Sequence, residues 1–392
     1  LMRLAVVTSH PIQYQAPLFR ALAQRCDLHV LFAHRATKAD QAAAGFEVPF
    51  DWDVDLTSGY SSTFMRNVSS QPSLEAFSGC DTPDVGGALV QYAPDAVLLM
   101  GWHLKCYWQS IWACRRAQLP VMVRGDSHLN TPRRLIKRVG KAMVYPLALR
   151  VFDAALYVGE QSRRYWLHYG YPTDRMYFSP HCIDNDWFAE RATLRARAEL
   201  RRACGVEEGV TLALFAGKLE PLKRVADIVG AVAQCRATGE RIELMVAGTG
   251  KLHDSLQHVA AEAGVPYHAL GFCNQSRMPS VYAAADILVL ASESETWGLV
   301  ANEALACGKP LIVSDRCGCA YDLAADGTAG SVFHCGDVAD LAQSMRRLID
   351  QPPSHDAIAA KANRYSIDTA ANGIVEAMSA FQPTERSRAR RG

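Results

Sequence analysis

Short aliphatic runs recur along this chain at wide intervals, and the stretches between them have helical spacing. That rhythm constrains the fold more than any other feature. Apolar runs at 4–8, 28–32, 96–100, 121–124 and 154–158 are separated by segments such as 17–24, whose apolar positions repeat as on one face of a helix. After residue 184 the rhythm restarts, with runs at 212–216, 242–247, 267–270, 287–291, 311–314 and 329–333 and helical stretches over 225–236 and 252–263. Strands alternating with helices in this way build parallel, doubly wound sheets covered on both faces. A chain of 392 residues is too long for one ordinary core and suits two domains.

The expected organisation is an N-terminal Rossmann-like domain over 1–184, a second one over 185–360, a helix over 361–382 and a basic tail at 383–392. The tail has almost no apolar surface to bury and is expected to lack structure. Helical spacing without strands runs over 358–381, and the join is read near 182–191, ahead of an Arg/Glu-rich segment at 191–202. Residues 36–78 break the rhythm with Ser, Asp, Gly, Pro and isolated aromatics, and read as an insertion or long loop facing a site.

With 41 Lys and Arg against 40 Asp and Glu, the charge balance gives no reason to expect a nucleic-acid partner. The twelve cysteines are scattered, and Cys317 and Cys319 lack the CxxC spacing of a zinc or redox pair, so free thiols are expected. The first apolar run opens at residue 4 without a basic or long apolar leader ahead of it, and no window reaches the roughly 20 apolar residues a membrane span needs. A cytoplasmic location is the expectation, with any membrane contact peripheral. The segment from Arg133 to Lys141 groups five cations with Leu135, Ile136 and Val139. It reads either as a solvated basic face or as a contact with anionic headgroups at the inner membrane face.

The window 291–310 carries the most chemistry. It sets Glu295 and Glu303 eight positions apart, after a strand and around the start of a helix near Gly298. In α/β sheets ligands bind at the carboxyl ends of strands, and backbone N–H groups of Trp297, Gly298 and Leu299 at a helix start form an anion site. Glu295 and Glu303 bracket that anion site, with Thr296 also on the donor and a carboxylate able to accept both hydroxyls of a ribose. Gly217-Lys218 and Lys223 follow the first strand of the same domain and bring two ammonium groups to the same sheet edge, where they would neutralise a departing diphosphate without a metal. Gly248-Thr-Gly250 and Gly271-Phe272 put glycines after two further strands. Gly248-Thr-Gly-Lys251 lacks the earlier glycine and the Ser/Thr of a P-loop. The DxD-like triplets at 51–53, 53–55 and 184–186 follow no nucleotide-binding unit and read as acidic loops rather than metal ligands.

The ordered set Gly217-Lys218…Lys223, Gly248-x-Gly250, Gly271-Phe272 and Glu295…Glu303 resembles the family 4 retaining glycosyltransferases of GT-B fold, closely in the C-terminal half and only in architecture in the N-terminal half. The resemblance implies two Rossmann-like domains facing each other across a cleft, with a C-terminal helix crossing back to the first. It implies Lys218 and Lys223 on the diphosphate, Glu303 on the ribose, Glu295 on the donor sugar and Phe272 beside the base. The family's N-terminal-domain histidine follows a strand like 121–124. Here that strand leads into Gly125-Asp-Ser-His128, so Asp126 and His128 both stand as candidates, with His10 at the end of the first strand as a third. The first loop reads Thr8-Ser-His-Pro-Ile-Gln-Tyr14, without the glycine pair frequent in that family. The implied activity is metal-independent hexosyl transfer from a UDP- or GDP-sugar, with retention and no resident cofactor. The acceptor would be a glycan, lipid-linked or small-molecule hydroxyl, as in polysaccharide biosynthesis. Tyr14, Trp52, Tyr60, Trp102, Tyr107 and Trp108 are candidates to stack on acceptor sugars. A nucleotide-sugar epimerase and a silent nucleotide-sugar-binding subunit are the alternatives.

Overall fold

The computed structural model describes residues 1–37, 48–129 and 135–381, with side chains except those of 135–139. The basic tail and positions 133–139 of the basic segment therefore lie outside what is described in full. The chain forms two compact units. Residues 1–36, 55–180 and 367 onward make the first, and 48–54 with 181–366 make the second.

The first unit holds a seven-stranded parallel sheet of β1 (Arg3–Thr8), β2 (Asp27–Phe32), β3 (Ser61–Phe64), β4 (Ala96–Leu99), β5 (Val121–Gly125), β6 (Ala154–Tyr157) and β7 (Met176–Phe178). Its order is β3-β2-β1-β4-β5-β6-β7. Leu4 to Val7 and Ala96 to Leu99 are buried throughout, as continuous aliphatic strands covered on both faces must be. The sequence reading of 36–78 as loop is corrected here, because Ser61–Phe64 pairs in parallel with β2. As an edge strand it has one neighbour and alternates exposed with half-buried positions, so it needs no aliphatic run and leaves no such signal. The strand Met176–Phe178 at the other edge escaped the sequence reading for the same reason.

The second unit holds a six-stranded parallel sheet of β8 (Thr211–Ala216), β9 (Ile242–Ala247), β10 (Tyr267–Gly271), β11 (Ile287–Leu290), β12 (Leu311–Ser314) and β13 (Gly330–Phe333). The order is β10-β9-β8-β11-β12-β13. Its core packs the helices Val225–Ala237 and Val338–Asp350 on this sheet through residues such as Ile228, Val232, Leu341 and Met345. The helix Ile367–Ser379 belongs with the first unit, where Ser179 Oγ donates to the Ala370 carbonyl at 2.9 Å and Arg25 pairs with Asp368 at 2.6 Å. The join near 182–191 contains a helix, Asn185–Arg191, whose Asp184 carboxylate caps the Trp187 N–H.

In each sheet the chain moves outward along one edge and then returns to the far side of its first strand. The order reverses between β1 and β4 in the first unit and between β8 and β11 in the second. The loops leaving those strands splay apart at their carboxyl ends and open a crevice.

Candidate functional site

In the second unit the residues singled out from sequence converge on the β8/β11 reversal. The loop after β8 turns through a short 3-10 segment, Pro221–Lys223, and the loop after β11 carries Glu295. The two loops are joined by backbone, Glu293 N–H donating to the Leu222 carbonyl at 2.8 Å, and by side chain, Lys223 Nζ donating to Glu295 Oε2. This ion pair is only about one-fifth exposed on either side. Lys218 sits half-buried at the start of the same loop.

Three successive strand ends are backbone against backbone. Gly217 N–H donates to the Ala247 carbonyl at 2.9 Å and Gly248 N–H to the Gly271 carbonyl at 2.8 Å. A Cβ on Gly248, whose φ is +155°, would stand 1.8 Å from the Gly217 oxygen, so no other residue fits there. Leu219 N–H then bonds the Thr249 carbonyl at 2.9 Å, lacing the lysine loop to the glycine loop.

The helix expected near Gly298 begins at Val300 and ends at Ala306, and Gly298 precedes it with φ +97°. Thr296 is exposed and Leu299 half-buried, whereas the Trp297 indole is buried. That ring is therefore structural. Its Nε1 donates to Asn302 Oδ1 at 2.8 Å, Asn302 Nδ2 donates to the His181 carbonyl at 3.2 Å, and any contribution of Trp297 to a ligand runs through its backbone. Glu303, in the first turn, is buried and accepts from the Tyr282 hydroxyl at 2.6 Å. Burial pushes its carboxyl up to about 7, against the opposing pull of that hydrogen bond. Tyr282 went unnoticed in the sequence because it lies on another helix, Met278–Ala284, with no motif around it.

A further part also escaped the sequence. The loop Arg316 to Cys319 braces the Glu295 loop, with Gly318 N–H donating to the Glu295 carbonyl at 2.9 Å and Cys319 N–H to the Trp297 carbonyl at 3.2 Å. A Cβ on Gly318 would fall 1.8 Å from the Thr296 oxygen. Phe272 packs its ring on Phe50 at 4.5 Å, and Phe50 on Trp52 at 5.0 Å. Asn274 Nδ2 donates to the Asp51 carbonyl at 2.8 Å and Ser276 N–H to Asp53 at 3.1 Å, so residues 50–53 form a strap held to the β10 end. Three of the DxD-like carboxylates have local partners. Asp53 clips the strap, Asp184 caps a helix, and Asp55 accepts from the Thr57 and Ser58 amides, which with the Ser58 hydroxyl lower it to about 2.

In the first unit His10, Asp126 and His128 follow β1 and β5. His10 Nδ1 lies 2.9 Å from Ser9 Oγ. His128 is buried and Asp126 half-buried. Asp126 sits within electrostatic reach of Tyr14, whose hydroxyl burial and that carboxylate raise to about 12, and of His103, whose imidazole burial lowers. His103 was not picked out from sequence; its signal was its place just after β4, at the reversal of strand order. Of the proposed stacking aromatics, Tyr107 is fully buried and belongs to the core, and Trp102 stacks on Phe152 at 5.4 Å. Tyr60 packs edge-on against Phe19, Trp52 sits in the strap, and Trp108 is exposed. Arg124, also missed, is buried at the end of β5, and its Nε donates to Ser179 Oγ at 3.0 Å.

Residues 196–365 match the family model described as Glycosyl transferases group 1. The D-inositol 3-phosphate glycosyltransferase of Thermomonospora curvata is 30% identical over 287 residues, covering 68% of this chain and 64% of that protein. The alpha-D-kanosaminyltransferase of Streptomyces kanamyceticus is 26% identical over 49% of this chain and 51% of its own length. The chain thus spans less than two thirds of these curated relatives. Among solved structures, Anabaena Alr3699/HepE in complex with UDP and glucose superposes with a TM-score of 0.70 at 18% identity, covering 97% of this chain and 100% of that one. The two parallel-sheet, Rossmann-like units are those of the GT-B fold.

Proposed function

We propose that this chain, whose residues 196–365 match the model described as Glycosyl transferases group 1, transfers a hexose from a UDP- or GDP-sugar to an acceptor hydroxyl with retention of anomeric configuration. The observation that carries this reading is the meeting of Lys223 and Glu295 at the β8/β11 reversal, beside the Gly217, Gly248 and Gly271 strand ends. A diphosphate entering there competes with Glu295 for the Lys223 ammonium. The exchange leaves the lysine, with Lys218, on the leaving group and frees Glu295 to accept from donor-sugar hydroxyls. Glu303 accepts the ribose hydroxyls, and Phe272 borders the base.

In the transfer the bond from the anomeric carbon to the diphosphate oxygen breaks and a bond to the acceptor oxygen forms on the same face. The acceptor proton passes to a phosphate oxygen of the leaving nucleotide. Positive side chains carry the growing charge, so the reaction runs without a divalent cation or a resident cofactor. His10, Asp126 and His128 of the first unit are the candidates to meet the reacting sugar or the acceptor. A glycan, a lipid-linked sugar or a small polyol fits this reading. The relatives' names support the sugar-transfer class, and the UDP-glucose complex of Anabaena Alr3699/HepE supports a nucleotide-sugar donor.

The test is release of UDP or GDP from a panel of nucleotide-sugars with and without acceptor, in excess EDTA, with the product anomer read by NMR. Acceptor-dependent release with the donor's configuration kept is expected. Release without acceptor, conversion of the donor to an epimer, an inverted product or a strict metal requirement each sinks a named part of the reading.

A further inference from the structure

We infer that the strap of residues 50–53 belongs to the nucleotide site, where it fixes Phe272 as a wall of the subsite for the base. The inference rests on the donor reading of the second unit and adds to it an element from a distant part of the chain.

The strap clusters with the second unit although its clipped pairs, Asp51–Asn274 and Asp53–Ser276, lie 223 positions apart. Holding such a segment in place loses chain entropy that its contacts must offset. The contacts are specific. Asn274 Nδ2 donates to the Asp51 carbonyl, and the Asp53 carboxylate accepts from both the N–H and the hydroxyl of Ser276. Phe50 is the anchor, only 7% exposed, with its ring 4.5 Å from that of Phe272 and tilted by 44°. Trp52 stands edge-on to Phe50 at 5.0 Å.

A strap laid along β10 would serve to cover that outermost strand of its sheet. These contacts fall instead on Phe272, Asn274 and Ser276, beyond the carboxyl end of β10 at Gly271. At that end the Gly271 carbonyl accepts from Gly248, in the glycine loop of the proposed donor site. Phe272 remains half-buried with Phe50 against it, so a base can pack on the surface left.

The strap is also tied to the ribose side. Ser276 lies in the 3-10 turn Gln275–Arg277, which runs directly into the helix Met278–Ala284 carrying Tyr282. Tyr282 donates to Glu303 at 2.6 Å, and Cys273 lies within electrostatic reach of that hydroxyl. One short segment thus holds the ring proposed to border the base and the turn leading to the partner of the proposed ribose carboxylate. The lysines proposed for the diphosphate stand on another loop, so the strap should act on the nucleoside part alone.

The experiment is calorimetric titration of the full chain with UDP, with GDP and with inorganic pyrophosphate, which has the diphosphate but no base. Phe50→Ala should weaken the nucleotide that the parent prefers by about five- to tenfold and leave pyrophosphate unchanged, and Phe50→Tyr should restore the affinity. Asp53→Ala cuts the clip at an exposed position, without opening a core, and should weaken the nucleotide in the same sense. In a Phe272→Ala background Phe50→Ala should add nothing, because it acts through that ring. Nucleotide affinity unchanged in both Phe50→Ala and Asp53→Ala, an equal loss for pyrophosphate, or a full additional loss in the Phe272→Ala background overturns the inference and leaves the donor reading standing. A parent that binds neither UDP nor GDP overturns that reading, and the inference with it.

Discussion

Glu303 and Tyr282 show what burial does to a group that sequence places on a helix. An exposed glutamate is charged at any physiological pH, but here the carboxyl holds its proton up to about 7. The folded value lies above the unfolded one, so the free protein loses stability as pH rises from about 4.5 to about 7, where folding would have to bury the charge. A ribose diol donating to the carboxylate favours the charged form. Nucleotide binding should therefore release a proton near pH 6.5 and weaken as pH falls below about 7. Calorimetry of UDP and GDP in two buffers of different ionisation enthalpy reads this, and Glu303→Gln should abolish the proton release and the pH dependence together. An unchanged proton count in that variant would remove Glu303 from the site. Lys223→Ala should cut turnover by roughly a hundredfold or more while shifting stability by less than about 1 kcal/mol, since its ion pair is partly solvated. Near-parental turnover would detach Lys223 from the leaving group.

Among the elements, the glycine contacts carry the most geometric information. Gly248 and Gly318 hold the lysine and glutamate loops by backbone contact, and Gly373 does the same for the helix Ile367–Ser379, where a Cβ would stand 1.9 Å from the Phe178 oxygen. Overpacking of this kind costs typically about 1–3 kcal/mol. Gly373→Ala should lower the melting temperature by several degrees without moving the nucleotide dissociation constant, because Phe178 lies in the first unit. Gly318→Ala should raise the donor KM, because Thr296 lies in the Glu295 loop. Thermal denaturation beside a nucleotide titration separates the two: Gly318→Ala should move both quantities, and a Gly373→Ala variant that weakened nucleotide binding would contradict the division. The strap of Phe50 to Asp53 on Phe272 and Ser276 shows the same economy, an acidic loop used as a clip.

At the scale of the molecule, two cores form around two sheets, and the proposed nucleotide site draws its named residues from the second. UDP or GDP at about 100 times its dissociation constant should stabilise the protein by about 2.7 kcal/mol, and calorimetry should show the gain in the transition of the second unit. Equal displacement of every transition would mean that the first unit binds too. The sequence by itself determined the two parallel sheets, the strand ends carrying Gly217, Gly248 and Gly271, and the types of charge waiting there. Period, turn residues and motif order are local properties written in neighbouring positions. It was silent on β3 and β7, which as edge strands need no aliphatic run, and on Tyr282, Gly318, His103 and Arg124, whose roles depend on what packs against them. Only the tertiary structure decided that Lys223 and Glu295, 72 positions apart, meet at a reversal of strand order, and that Glu303 is buried deeply enough to hold a proton near neutrality. Strand neighbours and burial are set by pairing between distant segments, and no window of the chain contains both partners.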